Sequence, residues 1–307
     1  MNVMKTDLIF PGFRRIPDYM GNLMLSLGHG YSAQALARIL LPRRWRFAGT
    51  TRTPDNAVRL NATGIHALVW PGDDIHELIG KATHLLISAA PGDMGDPVIA
   101  EVGTSIAAAA RNLEWVGYLS TTGVYGDRDG GWVDETDTLS PSTKRGRARM
   151  DAERQWQALA TETALPLHIF RLAGIYGPGR GPFEKIRRGT ARRILKPGQV
   201  FSRIHVDDIA RILAASINQP KPGAIYNVCD DTPAPPEDVI GYAAELLDTA
   251  IPPTIHIDDA TLTPMARSFY AESKRVRNDR IKRELGVELL YPDYRSGLKA
   301  VLESERN

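Results

Sequence analysis

The stretch Leu23-Met24-Leu25-Ser26-Leu27-Gly28-His29-Gly30-Tyr31-Ser32-Ala33 decides the fold. Its apolar opening is too short for a helix and reads as a strand. It runs directly into the pattern GxGxxG, with alanine in the last place, and then into a helical pattern over residues 34–41. Gly28 allows a tight turn, Gly30 lets the backbone approach a pyrophosphate, and the small Ala33 permits close helix packing. The N–H groups that open the helix, around Tyr31 and Ser32, are free to meet phosphate oxygens. A strand, this turn and a helix in that order predict dinucleotide binding.

Outward from this unit, short apolar runs alternate with longer amphipathic ones, the pattern of βαβ units that build a parallel sheet. Strands are expected at residues 23–27, 46–49, 67–70, 85–88, 115–120 and 167–171, with a later one at 224–228 and a short one near Ile255. Helices are expected at 34–41, 97–111, 148–160, 207–217 and 236–247, with closing helices around Ile281 and Gly297. After Tyr176 the texture changes, with Gly177, Pro178, Gly179, Gly181 and Pro182 in quick succession. The expectation is an α/β protein: a Rossmann-type doubly wound parallel sheet with a small C-terminal substrate lobe. Its parts are an N-terminal extension over 1–21, an NAD(P)-binding Rossmann domain over 22–176, and a mixed segment over 177–307 that completes the sheet and forms the lobe. Pro11, Pro17 and Asp18 break up any signal-peptide core, and the extension is either a functional arm or a product of start-codon choice.

Composition narrows the function. Thirty-eight basic residues stand against thirty-six acidic ones, so charge alone does not hold nucleic acid. No stretch approaches the roughly 18 uninterrupted apolar residues of a membrane helix. The single cysteine, Cys229, suits a reducing, cytoplasmic setting. The seven histidines lack metal-ligand spacing, so no metal is expected. The remaining partner class is a small-molecule substrate.

Cofactor choice turns on the end of the second strand, where an acid grips the ribose of NAD and a base accommodates the extra phosphate of NADP. Here it reads Gly49-Thr50-Thr51-Arg52, and Arg52 favours NADP while NAD stays open. Asp73 is placed either to accept from adenine or to close a turn. Ala89-Ala90-Pro91, after the fourth strand, complete the lining expected on that side. Lys185, Arg187, Arg188, Arg192, Arg193 and Lys196 are either a welcome for a substrate phosphate or carboxylate, or a solvated basic face.

Further stretches resemble the extended short-chain dehydrogenase/reductases, the NAD(P)-dependent epimerase/dehydratase group. Residues 118–126, from Tyr118 through Ser120, Thr121, Thr122 and Val124-Tyr125-Gly126, resemble the group's strand bearing the active-site serine or threonine. Arg171-Leu172-Ala173-Gly174-Ile175-Tyr176-Gly177-Pro178 resembles the segment along the nicotinamide, which assigns Ala173 and Ile175 to the cofactor. His205-Val206-Asp207-Asp208 and Tyr226-Asn227-Val228 resemble landmarks of the substrate lobe. The resemblance implies an oxidoreductase or epimerase, with dimers common.

One departure matters. The group's acid/base tyrosine and the lysine four residues on are absent, and Lys144-Arg145-Gly146-Arg147-Ala148-Arg149 puts Arg145 and Arg149 in their places. Arg149 retains the donors for the nicotinamide ribose, whereas Arg145 can polarise a substrate but not exchange a proton near neutrality. Thr121 and Tyr125 are the nearest candidates for proton chemistry. Two readings stay open: an atypical NADP-dependent oxidoreductase or epimerase acting on a carbonyl or hydroxyl carbon, or a catalytically silent cofactor-binding sensor.

Overall fold

The structure is a computed structural model that describes residues 21–306. The extension expected over 1–21 lies, but for Gly21, outside the described residues. Strands β1 (Leu23–Leu27), β2 (Arg46–Thr51), β3 (His66–Val69), β4 (His84–Ile87) and β5 (Trp115–Thr121) carry the first half. They are followed by β6 (Trp132–Val133), β7 (Leu167–Leu172), β8 (Gly174–Tyr176), β9 (Arg193–Leu195), β10 (Arg203–His205) and β11 (Ile225–Val228). The main sheet has seven strands in the order β11-β7-β5-β4-β1-β2-β3, all parallel. The chain moves outward from β1 through β2 and β3, then returns to place β4 on the other side of β1. That reversal is the switch point of a doubly wound sheet, with a crevice at the strands' carboxyl ends.

Both faces of the sheet are covered, so its strands read as continuous apolar runs. Period-two alternation still sorts them: Leu85 and Ile87 pack with Val98, Val102 and Trp156 on one face, and Leu86 packs with Leu36, Phe170 and Leu213 on the other. The helices among the described residues are α1 (Tyr31–Leu40), α2 (Pro54–Ala62), α3 (His76–Lys81), α4 (Pro97–Ala109), α5 (Lys144–Thr163), α6 (Phe183–Arg187), α7 (Val206–Asn218), α8 (Pro236–Leu246), α9 (Pro264–Tyr270), α10 (Asp279–Leu285) and α11 (Tyr294–Arg306). A separate core of Phe183, Ile186, Val239, Ala243, Tyr294 and Leu298 packs α6 and α8 together with residues near the end of the chain. Among the described residues no helix is long and apolar enough to cross a membrane.

The helix expected at 148–160 begins earlier, at Lys144. Thr143 caps it by accepting from Gly146 N at 3.0 Å, an N-cap that the surrounding run of arginines obscures. Arg145 and Arg149 thereby fall one turn apart on the same helix face.

Three histidines sit neutral in the interior, and burial lowers His29, His84 and His168 to a pKa of about 4. His168 is fixed in its neutral form, since Nε2 accepts from Lys221 N at 2.8 Å. Below pH 6.5 the unfolded chain binds protons that the folded chain refuses until about pH 4. Stability is therefore constant above neutrality on this account and falls as pH drops from about 6.5 toward 4, by several kcal/mol in all. Urea midpoints at successive pH values check this, and an unchanged midpoint between pH 7.5 and 5 contradicts it.

Candidate active site

The turn at Gly28 is pinned from the neighbouring strand. Gly28 N donates to Thr50 Oγ1 at 2.8 Å and His29 N to Thr50 O at 2.7 Å. Gly28 has φ +87°, and a Cβ there would meet Ala89 N at 2.9 Å. Gly30 differs: its φ is −95°, and a Cβ would meet protein only at Gly28 O, 3.8 Å away. Neither backbone conformation nor packing requires glycine at position 30, and the missing side chain at this N-cap leaves room for a ligand to approach the helix closely.

Helix α1 opens with no side-chain cap and no acid in its first turn. The amides of Tyr31, Ser32 and Ala33 bear no bond among the described residues. Three uncapped donors at the positive end of a ten-residue helix fit a pyrophosphate.

These groups open into a cavity of about 830 Å³ whose wall includes Gly28, Gly30, Tyr31, Ser32, Thr121 and Arg145. Arg149, Ala173 and Ile175 line it further in. Thr121 ends β5, and its Oγ1 accepts from Gly123 N at 3.2 Å. Arg149 is buried, and its Nη1 donates to Tyr118 Oη at 3.0 Å, Leu119 O at 2.9 Å and Ala89 O at 3.5 Å. Nε and Nη2 stay available to a ligand. Arg145 is exposed at the helix start, and burial of its head followed by the fields of Arg149 and Arg180 lowers its pKa.

Behind the wall lies a buried polar chain. Glu153 accepts from Ser120 Oγ and from Arg171 Nη2, the latter at 2.8 Å. Arg171 Nη1 donates to Tyr125 Oη at 2.9 Å, and Tyr125 Oη donates to Asn227 Oδ1 at 2.7 Å. Burial opposes the Arg171 charge, but Glu153 outweighs it and the pKa is raised.

Several sequence expectations change place. Tyr125 is fully buried, engaged on both sides of its hydroxyl and absent from the cavity wall. Burial pushes its pKa up to about 12, the wrong direction for proton exchange near neutrality. Asp73 closes a turn, with Oδ2 accepting from Val69 N at 2.7 Å. Ala33 belongs to the core, and Ala89, Ala90 and Pro91 stand off the wall, which takes Ser88 instead. Thr51 and Arg52 lie beyond the cavity at the end of β2, where Arg52 is exposed without an ion pair among the described residues.

The basic run does not line the cavity. Arg187 pairs with Glu305, Arg188 with Glu184, Arg193 donates to Glu237 O and Lys196 to Tyr270 O. His205 and Asp208 are structural, Asp208 accepting from Leu290 N and Tyr291 N at 2.7 and 3.0 Å. Sequence reasoning missed Arg180, Arg203 and Lys274, which the fold brings to the wall. Only Arg180 left a trace, as a lone base between Gly179 and Gly181.

A parallel doubly wound sheet with an uncapped glycine-rich turn at its switch point defines a Rossmann-type protein. A model of the NAD dependent epimerase/dehydratase family matches residues 28–229, and the chain belongs to that family. It is 29% identical over 281 residues to Protein YeeZ of Escherichia coli K12, covering 87% of this chain and 95% of that one. A functionally unknown conserved protein from Silicibacter pomeroyi DSS is 59% identical, with a TM-score of 0.88 and coverage of 93% and 100%. The UDP-glucuronic acid 4-epimerase of Bacillus cereus, solved with UDP-glucuronic acid and NAD, shares the fold at 17% identity, with a TM-score of 0.75 and coverage of 92% and 99%.

Proposed function

We propose that the protein is an NADP(H)-dependent oxidoreductase or epimerase acting on a carbonyl or hydroxyl carbon of a small anionic metabolite. The observation that carries this reading is a shared space: the uncapped amides of α1 and the side chains of Thr121, Arg145 and Arg149 meet in one cavity. When bound, the dinucleotide supplies or takes up hydride. Gly28 to Ala33 hold its pyrophosphate, Arg52 its additional phosphate, and Arg149 the ribose on the far side, through Nε and Nη2. Thr121 donates its hydroxyl proton in a hydrogen bond to the substrate oxygen. Arg145 stabilises negative charge on that oxygen without exchanging a proton, and cavity water provides the proton that completes the alcohol.

Two measurements test it. Arg52→Ala should weaken NADPH at least tenfold more than NADH in titration calorimetry, because it removes a contact that only the phosphorylated cofactor makes. Equal effects on both refute the assignment. Thr121→Val should lower turnover by roughly 10²-fold, the usual cost of losing one donor to a charged transition-state oxygen.

The burial of Tyr125 and the arginine at position 145 favour a second reading, a silent NADP(H)-binding sensor. Tight NADPH binding with no hydride exchange across carbonyl compounds and sugar nucleotides would select it. Sugar nucleotides belong in that panel because proteins of like fold hold them.

A further inference from the structure

Among the described residues, six basic side chains line the cavity, Lys144, Arg145, Arg149, Arg180, Arg203 and Lys274, against one carboxylate, Glu272. Four of the six are satisfied within the protein. Lys144 pairs with Asp93 and Lys274 with Glu272, each at 2.7 Å. Arg203 donates to Phe201 O and Ala234 O, and Arg149 is held as described above. Arg145 and Arg180 are left, and among the described residues neither guanidinium has an ion pair or a hydrogen bond. Arg180 rests over the Tyr31 ring, 5.8 Å from its centre, and Tyr31 Oη is itself tied to Pro178 O at 2.9 Å.

Two unpaired guanidiniums held near a third repel one another, and an anion between them relieves that repulsion through paired, charge-assisted hydrogen bonds. Their position says which part of a ligand they meet. A dinucleotide crosses the carboxyl ends of a doubly wound sheet at the switch point, with its halves on opposite sides of β1. The adenosine half faces β2 and Arg52. Arg149 is anchored on Ala89 O, just past β4, and on Leu119 O within β5, so the arginines border the other half. Thr121, two residues beyond Leu119, stands on the same lip.

We propose that Arg145 and Arg180 form an oxyanion subsite that grips a carboxylate attached directly to the reacting carbon, so that the substrate is a 2-oxo acid or its 2-hydroxy counterpart. This rests on the NADP(H)-dependent reading above. With NADPH bound, reduction would bring hydride to the C2 carbonyl carbon and a proton from solvent water to the C2 oxygen, leaving NADP⁺ and a hydroxide neutralised by solvent. The carboxylate keeps its charge throughout, so the same pair holds substrate and product. The oxygen that develops charge is bonded to the same C2, between the subsite and Thr121, so Arg145 faces both the carboxylate and that oxygen.

Oxalate and its neutral isostere oxamide are the binding probes, titrated calorimetrically into the cofactor-free protein and into the NADPH complex. Oxalate should bind at least thirtyfold more tightly than oxamide. Arg145→Gln and Arg180→Gln should each weaken oxalate at least tenfold, with NADPH affinity shifting less than threefold. Equal binding of oxalate and oxamide overturns the subsite, and this arm needs only the wild-type protein. Phosphate binding as tightly as oxalate overturns the carboxylate assignment. Failure of NADPH to bind sinks the dinucleotide reading, while oxalate still decides the subsite on cofactor-free protein. With NADPH present, kcat/KM for 2-oxo acids should exceed that for their methyl esters at least a hundredfold, and a preference for the esters overturns the substrate class.

Discussion

Gly30→Val is expected to reduce NADPH affinity at least a hundredfold while leaving the protein folded. The two effects separate because a Cβ at position 30 meets, among the described residues, only Gly28 O at 3.8 Å, and the backbone there is extended. Glycine is a fair N-cap and valine a poor one, so the exchange costs the helix about 1 kcal/mol, too little to unfold the protein. A branched side chain at the helix entrance would instead push the pyrophosphate away from the amides of Tyr31, Ser32 and Ala33. A loss of that size is about 2.7 kcal/mol, within reach of three forfeited charge-assisted bonds. Gly28→Ala is the contrasting variant. There the positive φ and the contact with Ala89 N make the residue structural, and about 1–3 kcal/mol of stability should go with the binding. Calorimetry and thermal melts on both variants check the pair. A Gly30→Val protein that melts normally and binds NADPH within threefold of wild type would remove the turn from the cofactor site.

How far the sequence spoke depended on whether a feature was local. The strand at 23–27 and the turn after it were legible because turn chemistry, alternation and helix onset coincide within eleven residues. The edges of β3 and β4 came out one residue early in the structure, a shift that apolar runs do not define. Helices α2 and α3 were not anticipated, since each carries a narrow apolar stripe among polar residues. Thr121, Arg145 and Arg149 all line the cavity, since they follow strand and helix registers that the sequence carries locally. Tyr125 was misplaced for a tertiary reason. Its inward direction is set by Arg171 and Asn227, which lie 46 and 102 residues away along the chain. Arg180 and Arg203 reach the cavity only through tertiary contacts, such as the bond from Tyr31 Oη on α1 to Pro178 O.

The largest loss of stability is expected from Glu153→Ala, about 3–5 kcal/mol. Arg171 and Glu153 are both nearly inaccessible, with side-chain exposures of 4% and 1%. Removing the carboxylate strands a guanidinium where water cannot reach it, and Tyr125 Oη alone cannot compensate a charge. Replacing both residues by methionine removes the charges together and should recover most of that loss, because a buried pair and an apolar pair of similar volume differ little in net stability. Tyr125 still donates to Asn227 in the double variant. Ser120, however, loses its acceptor on Glu153, and the end of β5 that presents Thr121 loses its tether. The double variant should therefore fold almost as well as wild type and turn over more slowly. Urea unfolding of the two single variants and the double one gives the coupling, expected at about 2 kcal/mol or more. Independent, additive losses would mean that the pair is not the electrostatic unit its burial implies, and that β5 is held at the cavity by packing alone.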